Sequence, residues 1–199
     1  MNEERTRATE TLAGYLRARG LDVRAPECVA TRSPVVSARF AGEDGGSLLV
    51  VFLTSKVRRQ MYLEVQAALE QSPGAERIFL VLTDATLPRE AVLASLTSIP
   101  VEAWTQAELQ YDVLNHVLNP RMRKMSADEG RAVLQRFNIE SVSRAPLIRA
   151  SDPVARALSL VEGDVVRIER CSMTVAYYEY FRLCVADHTV MDEREEHKN

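Results

Sequence analysis

Apolar positions recur along this chain at two periods, and the changes from one to the other mark out its elements. From Glu4 to Arg19, the residues Ala8, Leu12, Tyr15, Leu16 and Arg19 follow at steps of three and four, which places them on one side of a helix. Gly20 is its stop. Leu21–Thr31 is mixed and reads as a loop with one short ordered piece. Val35–Phe40 is a strand, E-D-G-G a hairpin turn and Ser47–Leu53 its partner. The run L-L-V-V-F-L inside that partner is continuously apolar, the mark of a strand covered on both faces. Val57–Gln71 returns to helical spacing, with Met61, Val65, Ala68 and Leu69 inward and S-P-G closing it. Arg77–Leu82 is a second fully buried strand. Pro88 opens a helix to about Leu96 that Ile99-Pro100 ends. Val101–Trp104 is a short strand, and Thr105 caps a small helix in A-E-L-Q-Y. Strand–helix–strand–helix–strand implies right-handed crossovers and a sheet covered by helices.

The pattern resets at Asn115–Arg123, N-H-V-L-N-P-R-M-R, a polar stretch interrupted by proline that reads as a linker. Ser126–Glu129, S-A-D-E, is a capping box for a helix carrying Val133, Leu134 and Phe137. Pro146–Val185 then reads as a turn, a short helix and two strands. Asp152 is the helix N-cap and Pro153 its first residue, with Val154, Ala155, Leu158 and Leu160 at near-helical spacing. After a Gly163-Asp164 turn, Val165, Val166 and Ile168 form one strand. In the other, Tyr178, Tyr180, Arg182 and Cys184 alternate with Glu179, Phe181, Leu183 and Val185. The whole is an α+β or α/β chain of two domains. Residues 1–118 hold a helix-flanked mixed sheet, 119–186 a small α+β domain, and 187–199 an acidic tail too poor in apolar residues to fold.

At 199 residues and 46% hydrophobic content the chain can bury a substantial core. No apolar run approaches the ~20 residues that cross a bilayer, so no membrane role is expected. The charged start M-N-E-E-R-T-R does not read as a secretory signal. Cys28, Cys171 and Cys184 share no metal-ligand spacing and read as reduced thiols. Charge is uneven: residues 1–120 carry 12 basic and 15 acidic side chains, 121–186 carry 11 and 8, and 187–199 carry 2 and 5. A balance this close to neutral argues against free-standing DNA affinity, which needs a concentrated basic surface.

Catalytic chemistry finds little support. His116, His188 and His197 are dispersed, the glycines of Gly42–Gly46 sit in a hairpin without a following helix, and no G-x-S-x-G element occurs. The alternative is a nuclease-like enzyme or a stand-alone nucleic-acid binder, because helix, hairpin, helix and strand come in the order of a PD-(D/E)XK nuclease. Such a site needs carboxylates and a lysine clustered on strands around Mg²⁺. Here Ser47–Leu53 has no acid, Thr54 stands where the glutamate before Lys56 belongs, and Asp84 is alone. No catalytic residue, metal site or cofactor is therefore expected. Lys56, Arg58 and Arg59, with the Pro88-Arg89 corner, are instead a candidate phosphate-contacting surface at helix starts.

The segment P-L-I-R-A-S-D-P-V-A-R, then G-D-V-V-R-I-E-R, Ser172, Thr174, Tyr178 and Arg182-Leu183, resembles the fifth common subunit of eukaryotic-type DNA-directed RNA polymerases, a small subunit with a counterpart in the archaeal enzyme. E-L-Q-Y-D-V-L-N-H-V-L-N-P and S-A-D-E-G-R-A-V-L-Q-R-F-N-I are similar to the same family, so the likeness covers roughly residues 105–185. It departs in one hairpin, at Cys171, Met173, Ala176 and Tyr177. The faint N-terminal match and the acidic tail point to a divergent member, a viral one being one reading.

The resemblance implies a non-catalytic polymerase subunit with an N-terminal jaw domain near downstream duplex DNA and a C-terminal assembly domain. Its partners would be the largest subunit and other polymerase subunits, in the nucleus or at a site of viral transcription. On that reading Asp152, Pro153, Val154, Arg156, Gly163, Arg170, Tyr178 and Arg182 face the largest subunit, and Lys56, Arg58, Arg59, Pro88 and Arg89 lie near DNA.

Overall fold

The computed structural model describes residues 3–21, 27–29, 36–41, 47–53, 58–71, 74–83, 99–170 and 177–187. The expected turn at 42–46, the helix opened by Pro88 and the tail from 188 lie outside them. The chain is a mixture of helices and sheets and divides into two compact units, Met1–Asp112 and Val113–Asn199, a boundary that falls ahead of the expected 118.

The first unit holds α1 (Glu3–Ala18), β1 (Glu27–Val29), β2 (Val36–Ala41), β3 (Ser47–Leu53), α2 (Arg58–Gln71), β4 (Ala75–Leu82), β5 (Val101–Thr105) and a 3₁₀ turn, Glu108–Gln110. Its sheet runs β1-β2-β3-β4-β5, antiparallel up to β3 and parallel from β3 to β5. On one face Leu49, Val51, Leu53, Ile78, Leu80 and Leu82 pack with Met61, Val65 and Ala68 of α2. On the other, Phe52, Phe79 and Trp104 meet α1: Tyr15 tilts against Trp104 at 5.5 Å, and Arg5 and Arg19 lie over Phe52 and Phe79. This two-sided cover is why β3 reads as an unbroken apolar run.

Arg19 belongs to the apolar stripe of α1 because its charge is answered in place. Its two terminal nitrogens donate to the two carboxylate oxygens of Glu102 at 2.9 and 2.8 Å, and the indole of Trp104 donates to the same carboxylate at 2.9 Å. Gly20, at φ +81°, then ends the helix with a paired closure, its N–H on the Arg17 carbonyl and that of Leu21 on Leu16. Thr105 and Glu108 bond reciprocally, the Thr105 hydroxyl accepting from the Glu108 N–H and the carboxylate accepting from the Thr105 N–H.

The second unit holds β6 (Arg121–Lys124), α3 (Ala127–Arg136), a 3₁₀ turn (Val142–Arg144), β7 (Leu147–Arg149), α4 (Pro153–Ala157), β8 (Val165–Arg170) and β9 (Tyr178–Val185). The sheet order is β6-β8-β9-β7, antiparallel except for the parallel pair β9–β7. Two expectations are corrected. The linker at Asn115–Arg123 is a strand at its C-terminal end, because Arg121–Lys124 pairs antiparallel with β8 and packs the partly buried Met122 beside Ile168. Leu147–Arg149, expected within a turn, is an edge strand whose pairing lies almost forty residues away in sequence.

Both faces of this sheet are covered. Val166, Ile168, Cys184 and Ile148 pack under Val154, Ala155, Leu158 and Leu160, while Val165 and Leu183 pack under α3 with Met125. A Cβ on Gly130 of α3 would come within 3.2 Å of the Val165 side chain, so the small residue there permits the approach. Leu160 lies beyond α4 rather than within it. Ser159 turns left-handed at φ 51°, and the Leu160 N–H bonds the Ala155 carbonyl at 2.8 Å, driving that side chain into the core.

A left-handed serine is strained where glycine is not. Ser159→Gly is expected to stabilise the chain by on the order of 0.5–1 kcal/mol, read as a raised denaturant midpoint. The capping box at Ser126 gives a second expectation. The Ser126 backbone N–H, then the Arg123 side chain, hold the Glu129 carboxyl below its usual value. A depressed carboxylate stabilises fully above its unfolded-state pKa and loses that contribution as pH falls through the folded value. Glu129→Gln should therefore lower the melting temperature at neutral pH and converge on the parent in acid; parallel curves at all pH would contradict this.

Candidate functional site

The open end of the second sheet carries its distinctive chemistry. Strand alternation and the register of β8 on β9 put Arg170, Tyr178, Tyr180 and Arg182 on the same face as the buried Val166, Ile168 and Cys184. Burial along β9 changes from exposed at Tyr178 to buried at Leu183–Val185, so one strand runs from surface into core. Tyr178 stacks on Tyr180 at 6.0 Å, and the Arg170 guanidinium lies over the Tyr180 ring at 5.3 Å. The arginine is thus oriented by an aromatic face while remaining exposed.

The remaining sequence candidates take different parts. The Asp152 carboxylate accepts from the Val154 N–H at 2.8 Å, and Pro153 occupies the first turn, so both define the start of α4. Val154 is 7% exposed and lies in the core. Arg156 is half-buried on the same short helix. Gly163 adopts φ +90°, and its N–H bonds the Cys184 carbonyl at 3.0 Å, so it turns the chain into β8. In the first unit Arg58 and Arg59 open α2, whose first turn has no acidic residue, and Arg59 is exposed. Lys56, Pro88 and Arg89 lie outside the described residues, as do Cys171–Ala176 of the divergent hairpin.

The opposite face of the sheet carries a charged cluster that the sequence does not announce. Arg167 meets the Tyr177 hydroxyl at 3.4 Å, the Glu179 carboxylate and, through Nε, Glu169 at 3.6 Å. The hydrogen bond with Tyr177, then the nearby carboxylates, raise the Arg167 pKa above its usual value. For Tyr177 the bond from Arg167 favours the phenolate. Donation to Glu179, burial and the two negative charges outweigh it and raise the phenol. Period-two alternation is the only sequence signal for this grouping, since its members come from β8, from β9 and from Tyr177 just ahead of β9.

The family model described as RNA polymerase Rpb5, C-terminal domain, matches residues 111–184, close to the whole second unit. The chain is 41% identical over 81 residues to DNA-directed RNA polymerase subunit Rpo5 of Thermococcus kodakarensis, an alignment covering 41% of this chain and 98% of that protein. With the Rpo5 subunit of Thermococcus celer it shares 42% over 78 residues, 39% of this chain and 94% of that one. It is 37% identical over 87 residues to the rpabc1 subunit of DNA-directed RNA polymerases I, II and III of Dictyostelium discoideum, 44% of each chain. The matched unit and the alignments that span nearly all of the archaeal subunits agree, and the chain belongs to the common subunit 5 family of DNA-directed RNA polymerases.

Proposed function

We propose that this chain is a non-catalytic subunit that docks on the largest polymerase subunit through an assembly domain at 119–186, with residues 1–118 forming a jaw domain near downstream DNA. The observation that carries this reading is the length of the archaeal relatives. An alignment of 81 residues accounts for 98% of one of them, so a protein of about the second unit's size is itself named a polymerase subunit. The first unit is then an addition to a part that suffices for assembly. Its place of action is the transcription machinery, which is nuclear in a eukaryotic host.

Within the docking surface, Arg156, Arg170, Tyr178 and Arg182 supply contact, while Asp152, Pro153, Val154 and Gly163 hold the backbone that presents them. Arginine suits this task because its planar fork satisfies several carbonyls or carboxylates together and its ring stacking limits the entropy lost on binding. In the jaw, Arg58 and Arg59 add positive charge at the start of α2, where helix amides also favour phosphate, and Lys56, Pro88 and Arg89 remain candidates from the sequence alone.

Purification of the tagged chain from its native source is expected to recover the large polymerase subunits, and recovery of a lone monomer would overturn the docking reading. Arg170→Glu with Arg182→Glu should reduce that recovery at least about tenfold, a loss of roughly 1.4 kcal/mol. Asp152→Ala should cost about 1 kcal/mol of stability, with Asp152→Ser restoring it. If the serine variant also assembles normally, Asp152 acts as a cap rather than a contact. For the jaw, charge reversal at Arg58 and Arg59, or at Arg89, should weaken the assembled enzyme's hold on downstream duplex, more at low salt. Unchanged salt-dependent retention would count against a DNA-proximal role.

A further inference from the structure

The second unit exposes two aliphatic side chains on a loop that is nevertheless tightly ordered. Val117 and Leu118 are 91% and 85% exposed. Their loop is closed by the Asn119 N–H on the His116 carbonyl at 2.9 Å, the Leu118 N–H on His116 Nδ1 at 3.2 Å, and the Asn119 amide on the Val113 carbonyl. A loop held by its own hydrogen bonds keeps these side chains in water, where burial against a partner would be favourable. They line a groove of about 690 Å³ whose other walls include Tyr177, Arg121, Arg170 and Glu169.

The charges in this groove are unequal. Arg121 and Arg170 are exposed and make no ion pair with the described residues, whereas Glu169 is paired with Arg167. One end is therefore apolar and aromatic, and the rim carries two guanidinium groups without an ion pair among the described residues, although Glu169 lies across the β6–β8 register from Arg121. We propose that this groove takes a protein segment that places an aliphatic or aromatic side chain between Val117, Leu118 and Tyr177 and sets carboxylates against Arg121 and Arg170. Nucleic acid fits less well, because two guanidinium groups beside a carboxylate fall short of the concentrated basic surface that a phosphate chain needs, and Val117, Leu118 and Tyr177 offer it no charge. Arg170 belongs also to the docking surface described above, so the inference rests on that reading for where the segment comes from, and deepens it by naming the chemistry of the contact.

The test replaces Leu118 with the photoreactive residue p-benzoylphenylalanine in the full chain, made in its native host, with Glu140 replaced in the same way as an exposed control. After irradiation and purification, cross-linked segments are identified by mass spectrometry. The expected product joins position 118, and not position 140, to a protein segment holding an apolar residue flanked by carboxylates, and Arg121→Glu lowers its yield at least about tenfold. Arg121 is outside the docking residues named above, so recovery of the large subunits is measured in the same variant to read docking through Arg156, Arg170, Tyr178 and Arg182 separately from the groove. Recovery of the large subunits without any cross-link at 118 overturns the groove while sparing the docking reading. A cross-link of the expected chemistry without polymerase subunits does the reverse, and the absence of both overturns both. A cross-link to nucleic acid, to a segment without carboxylates, or one insensitive to Arg121→Glu, also overturns the groove.

Discussion

Leu183, Cys184 and Val185 are all buried, and most of the C-terminal unit follows from that constraint. A strand whose backbone groups must all be paired and whose two faces must both leave water needs a neighbour on each edge and a layer on each side. β8 takes one edge and β7 the other, while α4 with its Leu160 plug covers one face and α3 the second. The turn at Gly163-Asp164 is tied to the same place, since the Cys184 N–H bonds the Asp164 carbonyl at 2.8 Å. The Leu183 N–H reaches Pro146 in the same way and so anchors the entry to β7. Burial, and after it the carboxylates of Asp164, Asp187 and Glu162, push the Cys184 thiol up, which keeps it an inert core side chain.

The same strand leaves the core towards Tyr178, and that gradient connects packing with the proposed docking surface. Where the helices no longer cover the sheet, Tyr180, Arg182 and the facing Arg170 emerge on a backbone already fixed by the buried end. Contacts presented this way lose little conformational entropy on binding, because rotamers are limited by stacking and the strand itself is paired. The first unit uses a similar rule with other parts. β3 and β4 are covered by α1 and α2, and the partly buried fork between Arg19 and Glu102 lets a charged residue occupy the apolar side of α1. Breaking one partner of such a pair leaves the other charge uncompensated, so the pair fixes how α1 lies on the sheet.

Some of this was legible because the signals are local. The span of β3, the capping box at Ser126, the Asp152-Pro153 helix start and the Gly20 stop each depend on residues within one turn or one strand. The family likeness was legible for a related reason, since the motifs around Asp152 and Gly163 are those that set the turns of the matched unit. The proposed docking residues were only partly so. Val154 and Arg156 are two residues apart on one short helix, yet one is core and the other half-buried, and spacing alone does not separate them.

What the sequence determined by itself was which segments fold locally, how each begins and ends, and which side of each is apolar, because those properties are set by periodicity and by capping chemistry. What only the tertiary structure decided was pairing between distant segments. β6 emerged from an apparent linker and β7 from an apparent turn, since four- and three-residue strands carry too little pattern of their own and exist only because β8 and β9 offer open edges. The Arg167 cluster and the groove beside Val117 and Leu118 are of the same kind. Within each segment their members stand close together, but the segments are distant in the chain and meet only because the register of an antiparallel sheet brings them to one place.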